Sequence, residues 1–391
     1  MGKKNIAFIN KEMLVWTRSE TPFSSPEMVE VKFPAMKSEK IISWENGDDY
    51  PSVSEAKKLA SIYRVPFACF FLTNAPEKKP RNFTDRRTSR GSVYSEISYT
   101  LWSEIQRITA NRETLIEYKT DDSVFDSIPT ISVKNVEAIA ALIREYLNLK
   151  TPLKTKSAYG GSSFNYFRNI LERNGIIVSQ ISGVSLEEMK GLSIYYDEFP
   201  IIAINNKDYD NSKVFSLFHE LAHIFRRSSS LCMIDFEERD DEEEGICDRI
   251  AAETLMPKSE FISIATSYIA RYTPLDSACL SRIAGRFGVS SFSVLMRLKE
   301  LSVISNDKYF DLLDTIKEEY EMIQERLERE RKGKNIPIDF HIKYLNQNGY
   351  IFPRIMMLSY ASGSITLGEV CKALNVGSNH ISSIEQAVML K

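Results

Sequence analysis

The chain is poor in cysteine and histidine and has almost no surplus of either charge, and each shortage removes a class of protein. Its five cysteines, at 69, 232, 247, 279 and 371, are odd in number, scattered and without C-x-x-C spacing. That excludes a disulfide framework and reads as reduced, mostly buried thiols of a cytoplasmic protein. A net charge of −3 gives no global attraction to nucleic acid or to anionic membranes. No apolar run reaches the length of a bilayer span, and the start, Met1 to Asn5, is followed by no signal-peptide core. Gly2 has Ile6 where N-myristoylation wants Ser or Thr. At 391 residues the chain is too long for one ordinary core, so two or three domains are expected.

Only four histidines are present, yet two fall in one stretch, Val214 to Phe225, as His219-Glu220-Leu221-Ala222-His223. Apolar residues recur there at helical spacing: Val214, Leu217, Phe218, Leu221 and Phe225. Positions four apart share a helix face, so His219 and His223 can hold one metal ion, and Glu220 between them can act as a base on water. The competing reading is two satisfied histidines on an amphipathic helix, and a third ligand would decide. A catalytic zinc takes three protein ligands, and its imidazoles donate their far N–H to a neighbouring acceptor. Glu244 and Asp248, four apart ahead of the apolar Ile250, Ala251, Ala252, Leu255 and Met256, suit those two tasks. The acids from Glu237 to Glu243 read instead as a solvated helix N-terminus favoured by the dipole.

His219-Glu-Leu-Ala-His223, followed by Glu244-x-x-x-Asp248-x-x-Ala-Ala-x-x-Leu-Met-Pro257, resembles the ImmA/IrrE family of zincin-type metallopeptidases. The resemblance implies zinc as cofactor, with His219, His223 and Glu244 as ligands, Glu220 as general base and Asp248 orienting an imidazole. Cys247 and Ile250 stand where the family usually has Ala and Phe.

The first 75 residues read as a helical unit. Asn10 caps a helix carrying Met13, Leu14 and Trp16, and a polar stretch leads to Ser38 through Asn46, ended by Gly47. Another helix starts at Tyr50-Pro51-Ser52, and the unit closes on Val65 to Leu72. Ile-Ser-Trp-Glu-x-Gly, then Leu-Ala-x-x-Tyr-x-Val-Pro, resembles the Xre-type helix-turn-helix domain, which implies DNA as a partner through Lys37, Lys40 and Asn46. Glu39 and Glu45 oppose that, so a protein-interaction or dimerisation module (a homodimer) of the same fold stands beside it. Residues 76–92 read as a linker. Helical periodicity returns at 93–120 and 135–148, and Ser163 to Asn174 reads as a helix ended by Gly175. Three β-like runs follow, 176–181, 191–196 and 201–205, directly before the His-Glu-x-x-His helix.

After Pro257 the runs 280–290 and 294–301 read as helix-turn-helix, with Arg282, Arg286, Arg297 and Lys299 available to phosphates or a docked substrate. Residues 302–335 read as a charged helical spacer. The tail 336–391 forms a small helical domain with a third helix-turn-helix-like run at 365–376, and it holds His341 and His380, which lack ligand spacing.

The expected fold is therefore α+β and mostly helical: a zincin-like core of a small sheet plus active-site helix at 93–301, an all-α helix-turn-helix domain before it and helical segments after. The resemblance implies a zinc-dependent endopeptidase whose protein substrate is a DNA-binding repressor, with no membrane partner. The alternative is a non-catalytic regulator that binds DNA or an antitoxin-like protein and keeps metal for structure.

Overall fold

The computed structural model describes residues 5–76, 97–119, 128–129, 135–149, 162–228, 230–232, 242–333 and 339–389. The expected linker beyond residue 76, the acids from Glu237 to Asp241 and the Cys232 side chain lie outside them. Contacts divide the chain into two units, and the division falls inside one helix, between Thr109 and Ala110.

The first unit holds helices α1 (Lys11–Ser19), α2 (Pro26–Lys32), α3 (Ser38–Asn46) and α4 (Val53–Ile62), a 3-10 turn at Phe67–Phe71, and the N-terminal part of α5 (Tyr99–Tyr118). Each boundary has a local cause. The Asn10 side chain accepts from the Glu12 amide, and Pro26 opens α2 where no backbone donor is needed. Gly47 ends α3 in the left-handed conformation at φ 82°. Ser52 and Glu55 form a reciprocal capping box on α4. Leu14, Val29, Ile41, Trp44, Leu59 and Phe70 make the core. The sequence reads the stretch before Ser38 as merely polar, whereas α2 lies there. It is seven residues long, and its apolar Met28 and Val31 point outward, so no helical periodicity marks it.

The second unit contains α6 (Val136–Tyr146), α7 (Ser163–Arg173), strands β1 (Ile177–Ile181), β2 (Gly191–Ile194) and β3 (Ile201–Asn205), then α8 (Asp210–Phe225), β4 (Ser230–Cys232) and α9 (Glu242–Leu255). Helices α10 (Lys258–Arg271), α11 (Ser277–Phe287), α12 (Ser291–Glu300), α13 (Asn306–Gly333), α14 (Phe340–Asn348), α15 (Ile351–Ala361), α16 (Leu367–Leu374) and α17 (Ile381–Met389) complete it. The strands form one sheet in the order β1-β3-β2-β4, with β1 parallel to β3 and β2 antiparallel to both neighbours. The mostly helical α+β architecture expected from the sequence is what the structure has, with β4 an added edge strand.

Register places Val178 beside Ile202 and Gly191 beside Ile204. The alternation of a strand turns these four to one face. Val178, Ile202 and Ile204 join Val214, Leu217, Phe218 and Leu221 of α8 in the main core. The outer side of β1 is covered by α14. Arg168 of α7, fully buried, donates to the Val178 carbonyl at 2.9 Å and the Leu345 carbonyl at 2.7 Å. Glu172, one turn on, accepts the Tyr350 amide at 3.0 and 3.1 Å. The C-terminal helices are thus pinned to the sheet's first strand.

The runs after Pro257 are the helix pair α11 and α12, but Arg297 is no phosphate contact. It is 2% exposed, ion-paired with Glu253 and Glu300 and bonded to the Met256 carbonyl, so it is spent inside the core. Cys247 and Cys279 are buried free thiols, while Cys69 and Cys371 are half-buried. His341 is half-buried, and the His380 ring stacks on Phe340 at 3.9 Å. No helix among the described residues is long and apolar enough to cross a membrane.

Candidate metal centre

Helix α8 passes through the core rather than over it, because apolar side chains leave it on several sides. The same burial encloses His219, Glu220 and His223, and it brings α9 against α8 so that Glu244, in the first turn of α9, is buried too. Three donor atoms meet between the helices. His219 Nε2 lies 3.1 Å from His223 Nε2 and 3.1 Å from Glu244 Oε2, and His223 Nε2 lies 3.3 Å from Glu244 Oε1.

The far sides of both rings fix which nitrogen carries the proton. His219 Nδ1 lies 2.7 Å from Asp248 Oδ1, and a carboxylate can only accept, so Nδ1 donates and Nε2 offers its lone pair inward. His223 Nδ1 lies 3.1 Å from Ser228 Oγ, whose own proton goes to the His223 carbonyl at 3.2 Å. Ser228 can then accept from Nδ1, which leaves His223 Nε2 free to point a lone pair inward. The Cys247 thiol flanks the same Nδ1 at 3.5 Å, and burial pushes its pKa up, keeping it neutral. Glu244 brings a carboxylate oxygen into the same buried space. An anionic oxygen and two nitrogen lone pairs facing one another repel unless a cation lies among them.

These residues fit zinc. Nitrogen and oxygen ligands at about 2.0–2.1 Å in a tetrahedron stand about 3.3 Å apart, close to the separations seen here. Among the described residues the second grouping of donors is His223, Glu243 and Cys247, on the Nδ1 side of the ring. There Glu243 pairs with Arg226, while Glu253, farther along α9, pairs with Arg297. Glu244 is thus the acid that the geometry brings to the two imidazoles.

No sequence pattern marks Ser228, and its place follows from how α8 ends. Arg227, at φ 54°, takes the left-handed position. The Ser228 amide then bonds back to the His223 carbonyl at 2.9 Å, and the Arg227 amide to Ile224 at 3.0 Å. This exit turn carries the residue after Arg227 against the ring of His223. A glycine at 227 would have signalled the turn; an arginine conceals it. Glu220, 1% exposed, lies under β2 beside Gly191.

The residues proposed for DNA lie elsewhere, in the first unit, and the two lysines among them are paired locally. Lys37 pairs with Glu30 and Lys40 with Glu55, both at 2.8 Å, and the Asn46 carbonyl accepts from Lys11 at 3.3 Å.

Residues 174–299 match the model of the Peptidase M78 family, described as the IrrE N-terminal-like domain. That segment runs from the end of α7 into α12 and holds the whole sheet and the three converging donors. It spans less than half of the chain and supports a metallopeptidase-type function for it. No curated protein matches the chain.

Proposed function

We propose that the chain is a zinc-dependent endopeptidase making a regulatory cut in a DNA-binding repressor or an antitoxin-like protein. The observation that carries this reading is the convergence of His219 Nε2, His223 Nε2 and a Glu244 carboxylate oxygen, with Glu220 next in sequence to a ligand. His219, His223 and Glu244 would hold the ion, and Asp248 and Ser228 keep the imidazole protons on the outer nitrogens. Zinc, when bound, supplies Lewis acidity toward the scissile carbonyl and the attacking water. Glu220 takes the proton from that water and hands it to the leaving amine. With β1 covered by α14, β4 is, among the described residues, the sheet edge left to pair with an extended peptide, which gives backbone recognition tolerant of sequence. The choice of a repressor as substrate rests on the resemblance of the motif-bearing segment to ImmA/IrrE peptidases.

The alternative, a regulator with a structural metal, would want a fourth protein ligand. Cys247 and Asp248 both sit on the outer nitrogens instead, which favours an open position and chemistry. The test incubates the reduced, zinc-loaded chain with helix-turn-helix repressors encoded beside its gene and reads fragments by mass spectrometry. A single cut slowed by at least about a hundredfold in Glu220→Gln supports the proposal. A chain that takes up no zinc in reducing, chelator-free buffer, or a cut whose rate Glu220→Gln leaves unchanged, overturns it.

A further inference from the structure

Gly191 opens β2, bonded between β3 and β4 opposite Ile204 and Cys232. A glycine inside a sheet weakens the strand and needs a reason. Backbone conformation is not that reason, since Gly191 is absent from the positive-φ residues. The reason is volume. A Cβ at 191 would lie 2.6 Å from Glu220 Oε1, 3.0 Å from its Cγ and 3.2 Å from its Cδ. The Glu220 carboxylate occupies the space that any other residue's side chain would fill, and burial closes off retreat into solvent.

We propose that Gly191 is a positioning residue for the general base: its missing Cβ is the seat that holds the Glu220 carboxylate against β2. This rests on the reading of Glu220 as the proton acceptor. The zinc ligands do not touch the seat: the three atoms nearest a Cβ at 191 all belong to Glu220. A methyl group at 191 would therefore displace the end of one flexible side chain and leave the ligand set as it is. The displacement needed to restore ordinary contact is about 1 Å, and a misplacement of that size costs on the order of a hundredfold in rate.

The experiment uses the full chain. Gly191→Ala should bind one zinc with wild-type affinity by competition with a chromophoric chelator and fold normally, yet cleave about a hundredfold more slowly. In a Glu220→Gln background the same change should cost less than about twofold, because the group it moves no longer takes a proton. Equal losses in both backgrounds, or loss of zinc with Gly191→Ala, would overturn the proposal. A crystal structure of Gly191→Ala gives a readout independent of activity: Glu220 is expected to be displaced, and an unmoved carboxylate overturns the seat. If wild-type protein cleaves nothing, the peptidase reading fails while that structure still decides the seat. Should Gly191→Ala not fold, adding Glu220→Ala removes the clash and should restore folding; failure to do so refutes the steric argument.

Discussion

His219 and His223 hold the same kind of ligand nitrogen inward but are steadied by different chemistry, a carboxylate on one and a hydroxyl on the other. A charged acceptor stabilises the imidazole proton more than a neutral one. Asp248→Asn is therefore expected to weaken zinc binding by about tenfold to a hundredfold, and Ser228→Ala by about tenfold at most, both read by chelator competition. Ser228→Thr, which keeps the hydroxyl, should bind as wild type. Glu220→Gln should keep zinc and lose about a hundredfold to ten-thousandfold in cleavage, whereas Glu244→Gln should lose the metal itself. Full zinc and full activity in Glu244→Gln would show that another acid, Glu243 or Glu253, is the third ligand. The two histidines and Glu220 were legible because a five-residue window fixes their geometry. Glu244 and Asp248 were legible because an acidic pair stood just ahead of an apolar helix. Ser228 and Gly191 were not, since one depends on a left-handed arginine and the other on strand register, neither written in composition.

Elements with a clear period, and the β-rich runs that became the four- and five-residue strands β1 to β3, were legible in the sequence, whereas two other short elements were not. Helices α6, α7 and α13 fall where apolar or charge periodicity puts them, while three-residue β4 and seven-residue α2 carry too little pattern to read. Caps add a local check, and α4 makes it testable. Ser52→Ala removes the hydroxyl of the capping box and should cost about 1 kcal/mol in urea unfolding of the first unit. Burial would raise the Glu55 pKa, but Lys40 and the Ser52 hydroxyl and amide outweigh it and hold the carboxyl at about 2 against an ordinary 4.5. A depressed folded pKa means stability that is present above pH 4.5 and is lost as pH falls toward 2. Lys40→Ala should flatten that acid limb. The same Lys40–Glu55 and Lys37–Glu30 pairs bear on DNA, because a cation already matched releases fewer counterions from phosphate. Fluorescence anisotropy with the promoter duplex should then show weak binding with a shallow salt slope; tight, sequence-selective binding would overturn this.

At the scale of the molecule, the C-terminal helices are joined to the sheet by a buried knot of polar groups that no sequence period could have announced. Gly349, at φ 80° and ψ −178°, sits in backbone space that only glycine enters freely. A Cβ there would lie 2.2 Å from Glu172 Oε1 and 2.9 Å from the Val178 carbonyl, and the latter cannot move aside. Gly349→Ala should cost at least about 1–3 kcal/mol, measured by urea unfolding. The cover that α14 lays over β1 has a further meaning for how the chain behaves in company. A sheet with one margin stoppered can accept a visiting strand only once, so pairing ends at a one-to-one complex and cannot propagate from copy to copy. Deleting residues 339–391 would unstopper it, and the shortened chain should sediment as a ladder of self-associated species where the whole chain does not.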